Sequence, residues 1–217
     1  MIHQLIFANP RPGMTTEEFQ DYWISVHAQE FAAKIPQIKK YKVNRILPVG
    51  PAPVFHGMAE IWLENEAEQL ASLQSPEFVD GARADEPRWA AFWQSLGLDT
   101  TTVPIVAAGH GTPHKLVVLV KRKGGIPLSV FRRYALDTIG ARVREVEGLR
   151  DACLCVVGDG AYGVGEARFD AAFQLWFDDV EAVSQARRSA AYDAVARELN
   201  DSCDSVYEFV CEENAII

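Results

Sequence analysis

The chain has 217 residues, of which 48% are hydrophobic and 24% are charged, a composition that allows one large or two small globular domains. Its formal net charge of -9 argues against nucleic-acid binding, because no basic stripe is available to displace the counterions of phosphates. No run approaches the roughly 18 apolar residues of a membrane span, and the N-terminus lacks the pattern of a signal peptide. We therefore expect a cytoplasmic protein with no nucleic-acid or membrane partner.

Hydrophobic periodicity and turn residues divide the first half into the order β-α-β-β-α-β. The first helix begins near Thr15 or Thr16, where Glu18 completes a capping signature, and the second begins at about Glu66. A loop rich in proline and glycine separates the two middle strands. The predicted strands of this half are 2–8, about 39–47, about 58–63 and about 103–107.

The second half repeats this order, which indicates a tandem duplication. Phe19 and Tyr22 of the first half align with Phe131 and Tyr134 of the second. Between the halves, residues 108–113 have the small and turn-forming residues of a linker. The second half is predicted to have strands at 115–120, 151–157, 171–177 and 205–211 and helices at 129–146 and 180–200. The repeat predicts two domains, at 1–108 and 114–217.

The β-α-β-β-α-β order predicts an antiparallel sheet with both helices on one face. The other face of each sheet would remain uncovered, so we expect the two halves to pack sheet to sheet. The predicted fold class is α+β, with two ferredoxin-like repeats that form a pseudo-dimeric α+β barrel. A fused pair of this kind predicts a monomer that is a pseudo-dimer, or a homodimer.

The stretch FQDYWISVH in the first helix combines an apolar face with two polar rings beside it. Phe19, Trp23 and Val26 recur at the spacing of one helical face, which predicts packing against the sheet. Tyr22 and His27 are five residues apart, about 140° around an α-helix, so they are expected to flank that face. Both side chains would then reach the edge of whatever the helix covers, either as capped core-margin groups or as site residues.

The pattern T-x-E-x-F-x-x-Y-W-x-x-x-H, followed by a proline-containing turn and a Y-x-x-N strand, resembles the EthD-like family. The matching residues here are Thr16, Glu18, Phe19, Tyr22, Trp23, His27, Pro36, Tyr41 and Asn44. The second half matches only in outline, because Ala135 and Ile139 stand where the first half has Trp23 and His27. The resemblance implies membership of the dimeric α+β barrel superfamily and a pocket between sheet and helices for a small apolar molecule. Relatives in that superfamily include cyclases, dehydratases, decarboxylases, isomerases, cofactor-free monooxygenases and haem-binding proteins.

A histidine that survives in only one half favours a single working site in the first half. His27 can exchange a proton near neutral pH, which makes it the candidate general acid or base. Tyr22 or Tyr41 would donate a hydrogen bond to a carbonyl or enolate oxygen, and Asn44 would orient the same group. Asp21 and Glu30 are the candidates for holding the imidazole in one tautomer.

Several aromatic residues are candidates for binding the ligand. Trp23 belongs to the apolar helix face, and His56 stands in the loop before the third strand, where it would face the pocket mouth or solvent. Trp89 and Trp93 belong to an apolar insert, predicted to be helical, that the second half lacks. This insert is either a core plug or an aromatic wall over an apolar ligand.

No sequence motif indicates a metal, a nucleotide or another cofactor. The chain has no phosphate-binding glycine loop, no H-E-x-x-H motif and no nucleophile elbow. Cys153 and Cys155 alternate along a predicted strand, which is expected to send their side chains to opposite faces and disfavours a shared metal. All four cysteines are expected to be reduced structural thiols. We therefore expect no metal and no cofactor.

Two functions of different classes fit these observations. The first is a cofactor-independent lyase or isomerase that transfers a proton on a small hydrophobic cyclic or aromatic carbonyl compound. The second is a non-catalytic accessory protein that binds a hydrophobic metabolite. Haem binding through His27 and cofactor-free oxygenation are further alternatives.

Overall fold

The computed structural model describes residues 1–109 and 111–217, so that His110, in the predicted linker, lies outside the described residues. The strands follow the order β1-β3-β2-β8-β5-β7-β6-β4 in a closed barrel. The predicted fold class, a pseudo-dimeric α+β barrel of two ferredoxin-like repeats, is confirmed. Within the described part of the chain, no helix has the length and apolar composition needed to cross a membrane.

All the predicted strands are present. They are β1 (Ile2–Ala8), β2 (Lys40–Ile46), β3 (Gly57–Leu63), β4 (Leu96–Val106), β5 (His114–Arg122), β6 (Asp151–Val157), β7 (Ala171–Phe177) and β8 (Cys203–Ala215). The last strand of each half is longer than predicted. In β4 the extension begins at Leu96, and buried and exposed residues alternate through its first five positions. Glycine and aspartate are weak strand formers, and the threonines that follow are polar, so this segment lacks the apolar run that predicts a strand.

The helices are more divided than the sequence pattern predicts. The α-helices are α1 (Thr16–Tyr22), α2 (Glu66–Gln74), α3 (Arg83–Asp85), α4 (Leu128–Tyr134), α5 (Gly140–Val143), α6 (Val180–Arg187) and α7 (Ala190–Ser202). The π-helices are Trp23–Phe31, Glu77–Ala82 and Ala135–Ile139. The predicted capping box is confirmed, because the Thr15 side chain accepts from Glu18 N and the Glu18 carboxylate accepts from Thr15 N. The helix predicted at 180–200 is interrupted where Ser189 caps α7.

The chain divides into two compact units. The first comprises Met1–Leu47, Ala52–Asp99 and Glu213–Ile217, and the second comprises Pro48–Pro51 and Thr100–Glu212. Within the first unit, Tyr41 exchanges backbone hydrogen bonds with Ile216 and Ile217. Because these units are defined by contacts rather than by the repeat, the domains 1–108 and 114–217 stay a prediction.

The sheet of the first unit has two chemically different faces. Directly paired residues of antiparallel strands share a face, so Leu5, Glu60 and Lys42 lie on one side. Gln4, Ile61 and Tyr41 lie on the other side, which packs against the helices. The helix-covered face therefore carries the tyrosine of the Y-x-x-N strand.

The expectation for Cys153 and Cys155 is wrong. Their Sγ atoms are 4.0 Å apart, because residues two apart on a strand point to the same face. All four cysteines of the chain are buried thiols.

Candidate active site

A cavity of about 320 Å³ lies between the helix-covered face of the first unit's sheet and the helical segments above it. This volume is at the small end of the range for ligand pockets. Most of its lining is apolar or aromatic, and its polar contributors include His27, Glu86 and Tyr41. The aromatic lining residues are Trp23, Tyr41, Phe78, Trp89 and Phe92.

His27 lies in the π-helix Trp23–Phe31, and the residue is 6% exposed. Its Nδ1 is 3.0 Å from Asp85 Oδ2, and its ring packs on Trp89 with 4.6 Å between centroids. Since Nδ1 is engaged in this way and the residue lines the cavity, Nε2 is the nitrogen left for a ligand.

Asp85 is the central residue of the site. It is 2% exposed at the end of α3, and its two carboxylate oxygens have different partners. Tyr22 donates its hydroxyl to Oδ1 at 2.8 Å, while His27 Nδ1 lies beside Oδ2. A buried carboxylate needs such partners to remain charged.

The π-helix explains why Tyr22 and His27 reach the same carboxylate. In a π-helix the hydrogen bond joins residues five apart, so residues at this separation lie nearly one turn above each other. In an α-helix they would be about 140° apart, which is the arrangement that the sequence predicts. The structure corrects this expectation, because Tyr22 and His27 converge on Asp85 instead of flanking an apolar face.

Sequence analysis missed Asp85 and named two other carboxylates. Asp21 binds Arg45, and Glu30 binds Lys34, so neither holds the imidazole. The only sequence signal for Asp85 was its place at the start of the segment DEPRW, which belongs to the insert that the second half lacks.

Burial lowers the pKa of His27, and the neighbouring Asp85 carboxylate opposes that effect. The imidazole is therefore neutral near neutral pH. When Nδ1–H donates to Asp85, the lone pair of Nε2 is free to accept a proton from a ligand.

Trp89 competes with Asp85 for the same nitrogen. Its Nε1 lies 3.2 Å from His27 Nδ1 and donates to it when that nitrogen carries no proton. In that tautomer Nε2 carries the proton and can act as an acid. The two neighbours of Nδ1 thus favour different tautomers of the imidazole, and Nε2 accepts a proton in one of them and donates a proton in the other.

Tyr41 and Trp23 lie side by side in the lining. Trp23 Nε1 donates to the Tyr41 hydroxyl at 3.0 Å, and burial raises the pKa of Tyr41 well above its ordinary value. Among the described residues, the Tyr41 hydroxyl has no acceptor for its own proton. That proton is available to an oxygen of a ligand in the cavity.

Three other predicted residues lie outside the cavity. Asn44 is on the opposite sheet face, where it donates to Met58 O and Glu60 Oε1, because it is three residues from Tyr41 on the same strand. His56 Nδ1 is 2.7 Å from Asn9 Oδ1 and does not line the cavity. Trp93 is 72% exposed, while Trp89 is fully buried in the lining. The predicted helical insert consists instead of two short 3-10 turns, 86–88 and 92–94.

Glu86 is a second group that sequence analysis missed. It lines the cavity, and burial raises its pKa to about 7, with Arg83 opposing and Asp85 reinforcing the shift. Much of this carboxyl group is therefore protonated near neutral pH.

The second half keeps the tyrosine but not the histidine. Tyr134 donates to Glu198, as Tyr22 does to Asp85, yet Ala135 and Ile139 occupy the positions of Trp23 and His27. Both replacements are buried. Within residues 1–109 and 111–217, no group of three or more His, Cys, Asp or Glu side chains could hold a metal ion.

Residues 11–92 match the family described as EthD domain, which confirms the resemblance predicted for the first half. No curated protein matches the chain. A structure named anthrone oxidase-like protein has a TM-score of 0.70 at 13% identity, covering 99% of this chain and 92% of that one.

Two further structures extend the likeness. A protein from Lactobacillus acidophilus NCFM with the provisional name of a monooxygenase has a TM-score of 0.55 at 11% identity, covering 99% of this chain and 94% of its own. A mutant chlorite dismutase from Candidatus Nitrospira defluvii has a TM-score of 0.51 at 7% identity, and the match covers 97% of this chain and 91% of that one. At such low identity these matches show the shared fold.

Proposed function

We propose, on the premise that residues 11–92 form an EthD domain, that the cavity is the active site of a cofactor-independent enzyme. It acts as a lyase or isomerase by transferring a proton on a small hydrophobic cyclic or aromatic carbonyl compound. Several structures that share the fold bear enzyme names, which supports an enzymatic function over a purely structural one.

The observation that carries this proposal is the pair formed by His27 and Asp85 at the cavity wall. Asp85 lies at Nδ1, so Nε2 of the neutral imidazole accepts a proton from the carbon next to a carbonyl group. Proton transfer by a positioned side chain contributes roughly 10²–10⁴-fold to a rate. In an isomerisation the protonated imidazole returns the proton to a neighbouring carbon. In an elimination it gives the proton to the group that leaves the adjacent carbon as the carbon–carbon double bond forms, so neither reaction consumes a cofactor.

Tyr41 supplies the complementary group. As the proton leaves carbon, negative charge develops on the carbonyl oxygen, and a hydrogen-bond donor already in place stabilises that charge. Tyr41 lines the same cavity as His27, and its hydroxyl accepts a hydrogen bond from Trp23 while its own proton remains to be donated. Tyr22 acts through Asp85 and does not line the cavity, so we assign it a positioning role.

Deuterium exchange tests the proposal without knowledge of the natural substrate. We expect the protein to accelerate exchange of the protons next to the carbonyl of 2-tetralone in D₂O, followed by proton NMR. His27→Ala removes the base and should lower the rate toward that of buffer, about 10²-fold or more. His56→Ala removes a histidine outside the cavity and should keep the wild-type rate. Equal rates for His27→Ala and wild type would refute the proposal.

Binding without turnover is the second candidate, and the aromatic lining of the cavity favours it independently of His27. An accessory protein would bind 2-tetralone with an affinity that depends on Trp23 and Trp89, without accelerating exchange. The names of the structural neighbours also raise cofactor-free oxygenation, which dissolved-oxygen consumption would reveal. Haem binding through His27 would give a visible absorption band, and the small cavity disfavours it.

A further inference from the structure

Glu86 forms part of the cavity wall. Among the described residues, its carboxyl group has neither a hydrogen bond nor an ion pair, although it is partly buried in an apolar lining. Surface glutamates reach water, and buried ones are usually paired. An unpaired carboxyl group that faces a cavity is therefore expected to find its partner in a ligand.

The backbone around Glu86 fixes its position. The residue opens a 3-10 turn in which Pro87 follows, and its carbonyl accepts from the backbone of Trp89 and Ala90. Its neighbour in sequence, Asp85, holds His27. One short segment thus holds the base through Asp85 and places the carboxyl group of Glu86 in the cavity lining.

We propose that Glu86 acts as a neutral carboxylic acid that, together with Tyr41, donates a hydrogen bond to the carbonyl oxygen of the ligand. The site then contains two donors and one acceptor, His27 Nε2, in an otherwise apolar wall. Such a set selects aromatic or cyclic ketones over hydrocarbons of the same shape. This inference rests on the proposed function and names the ligand group that it requires.

Burial of Glu86 places its protonation change within the working pH range. The raised pKa of about 7 lies above the lowered pKa of His27 and below that of Tyr41, the other titratable groups of the lining. The charges that act on Glu86 are those of Arg83 and Asp85 on its own segment. A change in ketone binding between pH 6 and pH 8.5 therefore reports on Glu86.

The experiment compares two apolar probes of nearly the same shape, 2-acetylnaphthalene and 2-ethylnaphthalene. Their Kd values are measured by quenching of tryptophan fluorescence at several pH values. We expect the wild-type protein to favour the ketone by about tenfold at pH 6, the factor given by about 1.4 kcal/mol. Ionisation of Glu86 should reduce this preference severalfold by pH 8.5, because a carboxylate cannot donate a hydrogen bond.

Three variants isolate the carboxyl group. Glu86→Gln keeps a donor that does not titrate, so its ketone preference should be the same at both pH values. Glu86→Ala removes the donor and should lower the preference at pH 6 to the wild-type value at pH 8.5. Glu66→Gln removes the same charge from an exposed position on α2 and should reproduce the wild-type profile.

The outcomes separate this inference from the proposed function. A ketone preference that is constant with pH in the wild type, or unchanged in Glu86→Ala, overturns the role of Glu86 even if His27 supports deuterium exchange. Conversely, a pH-dependent preference without exchange refutes the enzyme and leaves Glu86 as a binding residue.

Discussion

His27 Nδ1 lies between an acceptor and a donor, and only one of them can be satisfied at a time. Asp85 Oδ2 accepts when the nitrogen carries a proton, and Trp89 Nε1–H donates when it does not. A charged Asp85, supported by the Tyr22 hydroxyl, favours the first state. The protein therefore sets the function of Nε2 through the two groups that contact the other ring nitrogen.

Replacing Asp85 by asparagine tests this control. Because the Asp85 carboxylate raises the pKa of His27 against the effect of burial, Asp85→Asn should move that pKa further down. The amide can also hold the wrong tautomer, so exchange of 2-tetralone should slow by about 10²–10⁴-fold. NMR titration of the imidazole protons measures the first effect, and the exchange assay measures the second. An unchanged His27 titration would show that Asp85 does not control the base.

The π-helix Trp23–Phe31 is the element that assembles the site. It begins directly after α1, and its wider turn brings Tyr22 and His27 over the same carboxylate. Trp23, its first residue, lies under the helix against the sheet, with Phe19 5.4 Å away between ring centroids. The position of this helix therefore depends on how closely Trp23 approaches β3.

Gly57, at the start of β3, permits that approach. A Cβ atom at this position would lie 2.8 Å from Trp23 Cζ3 and 3.1 Å from Phe19 Cε1. We expect Gly57→Ala to displace the indole, disturb its hydrogen bond to Tyr41 and lower the free energy of unfolding by about 1–3 kcal/mol. Gly97→Ala is the control, because a Cβ there meets nothing within 4 Å, and its effect should stay within about 0.5 kcal/mol. Urea unfolding monitored by fluorescence compares them, and equal stabilities would contradict this account of Trp23.

Sequence patterns predicted single members of the site better than their assembly. The motif identified His27 and Tyr41, which line the cavity, because their residue types and spacing are local features. Asp85 is 58 residues away from His27 along the chain, and only tertiary packing brings it there. The π-helix was also hidden, since apolar periodicity at Phe19, Trp23 and Val26 fits an α-helix equally well.

The fold of the whole chain was easier to predict, because the same order of strands and helices occurs in both halves. Each copy constrains the interpretation of the other, and a β-α-β-β-α-β unit leaves a sheet face that needs a cover. Element ends were less certain, as the break between α6 and α7 shows. That break depends on the side chain of Ser189, which accepts from Tyr192 N, a local bond that periodicity does not contain.

The difference between the halves predicts one ligand for each chain. In the second half, Ala135 and Ile139 replace the indole and the imidazole, and both are buried. We expect isothermal titration calorimetry with 2-acetylnaphthalene to give a stoichiometry of about one ligand for each chain. Trp89→Ala, which opens the lining of the first-half cavity, should weaken that single event. Two equivalent binding events would contradict a site confined to the first half.

Tyr134 and Glu198 have a consequence for protein engineering. They reproduce the bond between Tyr22 and Asp85 in a half that has Ile139 at the position of His27, so this bond serves folding whether or not a base is present. Ile139 follows Tyr134 by five residues and ends the π-helix Ala135–Ile139, as His27 follows Tyr22 in the first half. Ile139→His would therefore place an imidazole five residues after a tyrosine that already donates to a carboxylate, which is the arrangement of Tyr22, His27 and Asp85 in the first half.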